Sequence, residues 1–217
     1  SVTQAGKYFN PVLYTGDGNT TKAITVGFQP DFVWIKSRSV GRSHRLTNVI
    51  SGVSNATLYS DLTSQESSGP LSSFDSNGFT LNNTDNHNVL NETYVAWNWK
   101  ANGAGSTNTA GSITSTVSAN TTAGFSIVTY TGTSVDATVG HGLGVAPSMI
   151  IVKNRTSGTT DVWLVRHSSL VGNDKYIILN RTDGEGSLTT AWNNTAPTSS
   201  VFSLGTLGDV NRSTNIY

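Results

Sequence analysis

The sequence predicts an all-β protein built from two tandem, related β-sandwich units. Helix signals are nearly absent, while short β-branched and aromatic runs recur between clusters of Gly, Asn, Asp and Ser. One pattern also occurs twice. Tyr14-Thr15-Gly16 leads to Pro30 and then to Phe32-Val33-Trp34-Ile35-Lys36-Ser37-Arg38-Ser39. Tyr130-Thr131-Gly132 leads to Pro147 and then to Met149-Ile150-Ile151-Val152-Lys153-Asn154-Arg155-Thr156. The closing segments agree as well: Phe79-Thr80-Leu81 runs to Tyr94 and Phe202-Ser203-Leu204 runs to Tyr217, each over 15 residues. Repetition at this scale is the signature of an architecture assembled from one supersecondary unit.

Taken in order, Val12-Leu13-Tyr14 opens the first copy and Phe125 to Tyr130 opens the second. Phe32 to Lys36 and Met149 to Val152 are apolar on both faces, which predicts central strands covered on both sides. Asp75-Ser76-Asn77-Gly78 between Phe74 and Phe79 predicts a tight hairpin with Asn or Gly at positive φ. In Tyr94 to Lys100, Val95, Trp97 and Trp99 share one face, and Tyr94, Ala96, Asn98 and Lys100 share the other. The Trp face is assigned to the core. Ser60 to Ser68 is the one stretch that reads as a short helix.

Residues 1–100 therefore form the first sandwich and 124–217 the second. Residues 101–123 form a linker and a thin edge strand, with Ile113, Ser115, Val117 and Ala119 alternating against polar neighbours. A single large jelly roll made from both copies is the alternative. The first copy continues past Tyr94 into Val95-Ala96-Trp97-Asn98-Trp99-Lys100, whereas the second stops at Tyr217. The second unit is thus expected to be incomplete at its C-terminus, its last strand supplied by further sequence or by a neighbouring subunit.

Composition narrows the function. Ser, Thr, Asn and Gly make up roughly half of the 217 residues, charged residues only 12%, and the formal net charge is zero. No basic surface exists to neutralise phosphates, so nucleic acid is not an expected partner. No apolar run approaches the ~20 residues of a membrane span, so no membrane insertion is expected. Without cysteine there are neither disulfides nor thiolate metal sites.

Candidate chemistry is sparse. The three Glu are Glu66, Glu92 and Glu185, and the close carboxylate pair Asp183-Gly184-Glu185 reads as a turn. Asp75-x-Asn77-Gly78 and Asp85-Asn86-His87-Asn88 are oxygen-rich, but read as turns whose Asx side chains bond their own backbone. His44, His87, His141 and His167 lack metal-ligand spacing, and Gly140-His141-Gly142-Leu143-Gly144 is not a phosphate loop, because no Lys-Ser/Thr follows it. No catalytic residue, cofactor or metal is expected, and the protein is not read as an enzyme. Of the five Trp, Trp34, Trp97, Trp99 and Trp163 read as core. Trp192 lies in the polar, loop-like Thr190-Ala191-Trp192-Asn193-Asn194-Thr195 and is the candidate for an exposed ligand contact.

The two copies resemble the repeat domains of tailed-phage virion proteins, especially marine and cyanophage tail-fibre or appendage proteins. The resemblance rests on Tyr14-Thr15-Gly16, Gly27 to Lys36, Tyr94 to Lys100, Gly124 to Gly132, and Gly140 to Gly144 followed by Pro147. It covers nearly the whole chain. Many members have Cys where this chain has Asn98. The resemblance implies a concanavalin-A-like jelly-roll fold and a structural, adhesive role on the virion surface, in a protein made in the host cytoplasm. A tail-fibre or receptor-binding component contacting a host-surface glycan or protein is the first expectation. A capsid decoration or head-fibre protein is the second, and a glycan-binding or glycan-active domain the third. Other virion proteins, including further copies of this chain, are the expected partners.

Overall fold

The structure, a computed structural model, describes residues 5–82, 85–157 and 161–217. It is all-β and divides into two compact units. The first comprises Ser1–Ser60 and Glu66–Ala104, and the second Asp61–Gln65 and Gly105–Tyr217.

In the first unit a 3-10 turn (Ala5–Lys7) precedes β1 (Phe9–Thr15), β2 (Thr21–Thr25), β3 (Phe32–Ser37), β4 (Arg45–Asn48), β5 (Leu71–Asp75), β6 (Gly78–Asn82) and β7 (Thr93–Trp99). Two antiparallel sheets result, ordered β1-β7-β3-β4 and β2-β6-β5. Their inner faces enclose one core: Ile24 and Val26 with Leu71, Phe79 and Leu81 from one side, Val33, Ile35, Tyr94 and Ala96 from the other. This is a sandwich in the usual sense, with inward residues alternating along each strand.

Alternation in β7 runs opposite to the sequence assignment. Tyr94, Ala96 and Asn98 are fully buried, whereas Val95, Trp97 and Trp99 are half-buried on the outer face. Phe79, Leu81, Val33 and Ile35 already fill the space between the sheets, so the central positions of β7 take Ala and Asn. β3 obeys the same rule, with Val33 and Ile35 buried and Phe32 and Trp34 only partly covered.

The hairpin between β5 and β6 forms as expected, with Asp75 opposite Gly78. Neither Asn77 nor Gly78 takes positive φ. Gly78 is required for space instead: a Cβ there would lie 1.9 Å from the Ile24 carbonyl oxygen. Ser60 to Ser68 is not a helix. Ser60 and Asp61 form a turn, Leu62 a bend, and Ser67 bridges to Thr57, while residues 61–65 belong to the second unit. There the Leu62 carbonyl accepts from Trp163 Nε1 at 3.2 Å and the Thr63 carbonyl from Lys153 Nζ at 3.0 Å.

The second unit contains β8 (Ser106–Asn108), β9 (Ser115–Asn120), β10 (Phe125–Tyr130), β11 (Ala137–Gly140), β12 (Met149–Val152), β13 (Leu164–His167), β14 (Lys175–Ile178), β15 (Gly186–Ser187), α1 (Thr189–Trp192), β16 (Val201–Leu204) and α2 (Gly208–Asn211). Its sheets are ordered β10-β9-β8, β11-β16 and β12-β13-β14-β15. Tyr130, Val139, Val152, Leu164, Trp192 and Phe202 are among the residues that share one core. β9 was expected at an edge. It is the middle strand of its sheet, because β8 from the stretch read as linker pairs along its free side.

Each unit is tied by the same set of bonds. Tyr14 stacks on Tyr94 at 4.9 Å and 14°, and Tyr130 on Tyr217 at 5.1 Å and 13°. The Tyr14 hydroxyl donates to the His87 carbonyl, and that of Tyr130 to the Val210 carbonyl. Asn91 N–H bonds the Gly16 carbonyl and Thr214 N–H the Gly132 carbonyl, with φ 64° at Asn91 and 66° at Thr214. The glycines are needed because a Cβ would lie 2.0 Å from Val89 O at Gly16 and 2.3 Å from Arg212 O at Gly132.

Candidate functional site

The candidate site is the outer face of the sheet β1-β7-β3-β4. Strand register sets it out in rows. Trp99 is the partner of both Phe9 and Phe32, Trp97 of both Pro11 and Trp34, and Val95 of both Leu13 and Lys36. Paired residues on antiparallel strands project to the same side, so all nine share this face. Trp99 packs between Phe9 at 4.8 Å and Phe32 at 5.3 Å. Trp34 meets Trp97 edge-on at 6.1 Å and 76°, and meets His44 at 5.7 Å. Phe9 is 36% and Leu13 62% exposed.

Edge-to-face packing holds the rings in fixed orientations. Trp34 Nε1 donates to His44 Nδ1 at 2.8 Å, which removes the polar edge of the indole from the surface. The result is a rigid, π-rich face able to contact the C–H face of a sugar or apolar side chains of another protein.

Polar groups gather beside the start of β7. Arg42 holds Glu92 through both carboxylate oxygens, at 2.9 and 2.5 Å, and Glu92 accepts from the Tyr94 hydroxyl at 2.9 Å. The hydrogen bonds from Arg42 bring the Glu92 carboxyl below its ordinary value, while burial raises the Tyr94 phenol. Nearby, Arg45 pairs with Asp85 and lies over the Tyr59 ring at 4.1 Å. His87 is fully buried, with Nδ1 on the Asp85 carbonyl at 2.6 Å, and burial lowers its pKa.

The other residues singled out in the sequence do not converge. Trp192, expected as an exposed contact, is 1% exposed and lies in the second unit's core. Its polar neighbours mislead because Asn193, at φ 48°, ends α1 in a left-handed turn that sends Ala191 and Trp192 inward. Asp183 faces Arg181 at 3.7 Å and Glu185 faces Lys175 at 3.4 Å, each at the surface with a separate cation. Asp75 accepts from the Ser73 and Thr80 hydroxyls, both at 2.7 Å. His141 is buried in its glycine-rich turn, with Nε2 on the Thr198 carbonyl and Nδ1 accepting from Leu143 N–H.

Sequence reasoning missed Phe9, Pro11 and Leu13 as members of the face. The signal was present: Phe9, Pro11 and Leu13 alternate with Asn10, Val12 and Tyr14. Pro11 also fits β1 as the edge strand of its sheet. No curated protein and no solved structure matches the chain. One family model does, over residues 4–217, and the chain accordingly belongs to that family, a domain of unknown function (DUF7483).

Proposed function

We propose that this protein is a structural and adhesive component of a tailed-phage particle, a tail-fibre or receptor-binding protein whose chain repeats one β-sandwich unit. The reading rests on the resemblance carried by the repeated Tyr-Thr-Gly and Pro-led strands. The observation that gives it a mechanism is the half-exposed aromatic face of Phe9, Phe32, Trp34, Trp97 and Trp99. A sandwich tied by backbone bonds presents that face without a conformational change, which keeps the entropy cost of contact low. Aromatic side chains of this kind dominate recognition of both glycans and proteins. The reading involves no catalytic step and no cofactor. It places the protein on the virion surface, among other virion proteins and further copies of itself, after synthesis in the host cytoplasm.

Antibody labelling of particles under the electron microscope tests the location. Label on the tail or its fibres supports the reading, and label confined to the head replaces it with a capsid-decoration role. Adhesion is tested on host cells: Trp97→Ala, folded by its circular dichroism spectrum, should bind at least tenfold less than the parent. Equal binding would remove the aromatic face from the mechanism.

A further inference from the structure

The dipeptide Asn-Gly occurs twice in the chain, at Asn77-Gly78 and at Asn102-Gly103. Such a dipeptide can react with itself. The glycine backbone nitrogen attacks the asparagine side-chain carbonyl carbon, the side-chain amide leaves as ammonia, and a five-membered succinimide closes. Water then opens the ring at either carbonyl and leaves aspartate or isoaspartate. Glycine is the favoured neighbour because it has no Cβ to crowd the attack and leaves the backbone free to turn. Ring closure still requires the nitrogen and the carbonyl carbon to meet, so the fold decides which of the two dipeptides reaches that geometry.

The hairpin between β5 and β6 holds Asn77-Gly78 still. The Asn77 carbonyl accepts from Val26 N–H at 2.8 Å and from Gly27 N–H at 3.2 Å. Gly78 is buried, begins β6, and is paired with Thr25 on one side and Asp75 on the other. A Cβ there would lie 1.9 Å from the Ile24 carbonyl oxygen, so the chain has no room to swing. Turning this peptide towards the Asn77 side chain would break both bonds at its carbonyl and disturb the pairing on both sides.

Asn102-Gly103 is placed differently. It lies in the connection between the end of β7 at Trp99 and the start of β8 at Ser106. Asn102 is exposed. The Gly103 N–H, which is the attacking group, has no hydrogen-bond partner among the described residues. Gly103 has φ 67°, and a Cβ on it would meet nothing within 4 Å.

We propose that Asn102 is a site of spontaneous deamidation, and that the fold directs the reaction to it while protecting Asn77. The inference does not depend on the adhesive reading. The products alter the chain where it leaves the first unit. Before the site, Ala101 N–H is fixed on the Asp31 carboxylate at 2.7 Å; after it, Ser106 pairs with Val117. Between these anchors isoaspartate diverts the main chain through the side-chain methylene and lengthens it by one carbon. Either product adds a carboxylate, which takes the formal net charge from zero to −1. The modification is one-way, so it records the age of the chain at the passage between its two units.

The test incubates the 217-residue protein in warm, mildly alkaline buffer made with oxygen-18 water and then maps its peptides by mass spectrometry. Conversion is read as replacement of the side-chain nitrogen by one labelled oxygen, with the aspartate and isoaspartate peptides separated by chromatography. In the folded protein Asn102 should convert at least tenfold faster than Asn77. In urea the two rates should converge. Asn102→Gln, which would have to close a six-membered ring, should show no conversion at that position over the same period. An unchanged Asn102 in the folded protein, or equal rates at the two sites there, would overturn the proposal. So would an Asn77 that stays protected in urea, since local sequence rather than the fold would then set the difference.

Discussion

Asn211 repeats the two bonds by which Asn88 holds the turn after the first strand of its unit. Both amides are fully buried. Asn88 Oδ1 accepts from Asp17 N–H at 3.1 Å and Asn211 Oδ1 from Thr133 N–H at 2.8 Å, each the residue after the Tyr-Thr-Gly glycine. The carbonyl of Asn88 then accepts from Gly18 N–H and that of Asn211 from Ser134 N–H. In each unit a single Asn closes the turn that follows the first strand onto the loop that precedes the paired tyrosine.

Asn88→Ala and Asn211→Ala should therefore destabilise by similar amounts, about 2–4 kcal/mol each, because each strands several buried polar groups. Urea denaturation measures both. A loss under about 1 kcal/mol at either site would show that its turn is held by other bonds.

The Arg42–Glu92 link sets an acid limit. Glu92 is depressed in the folded state, so its contribution is present above the unfolded carboxyl value and fades as pH falls through the folded one. The pair is bidentate and only partly exposed, worth about 1 kcal/mol. The stability gap between the parent and Glu92→Gln should be constant from pH 7 to 5 and close as pH falls below about 4. A gap unchanged at pH 3 would contradict this.

Lys153 acts in the opposite direction. It is 5% exposed, and its ammonium donates to the carbonyls of Thr63, Asn154 and Asp161. Burial lowers its pKa to about 8, against the opposing pull of Asp161 and Asp209. Between that value and the ordinary lysine value near 10.4 the unfolded chain holds the proton more tightly, so stability rises with pH. Relative to Lys153→Met, the parent should gain about 2–3 kcal/mol from pH 8 to 10.5. Parallel stability curves for the two proteins across that range would refute it.

Trp99→Ala should cost only about 1–2 kcal/mol, below the 3–5 kcal/mol of a fully buried aromatic truncation. The ring is half-buried, and its loss removes two aromatic contacts without opening a closed cavity. A loss above about 3 kcal/mol in chemical denaturation would place Trp99 in the core after all.

The fold class was legible because strand periodicity and turn residues are local signals, and the Tyr and Gly positions of the repeated sequence pattern make matching bonds and close approaches in both units. Facing was not. Both faces of Tyr94 to Trp99 carry aromatic residues, and the larger ones suggested the core. Only the volume already taken by Phe79, Leu81, Val33 and Ile35 decides that Ala96 and Asn98 point inward. Trp192 failed for a related reason, since the polarity of Asn193 and Asn194 reflects a left-handed turn, with φ 48° and 44°, rather than an exposed neighbour. The excursion of residues 61–65 into the second unit left no local trace, because it uses carbonyls that every residue possesses.

That excursion changes what modularity means for this chain. The polypeptide passes from the first unit to the second after Ser60, returns at Glu66, and leaves again after Ala104. A gene exchange or a protease acting at a single point near residue 104 would carry away a second unit lacking the Leu62 carbonyl that Trp163 Nε1 donates to and one of the three acceptors of Lys153. It would also leave Leu62 and Thr63 behind without the bonds their carbonyls accept from Trp163 and Lys153. The boundary is a stitch rather than a seam, and inheritance of the two units is coupled by five residues that belong to one in sequence and to the other in space.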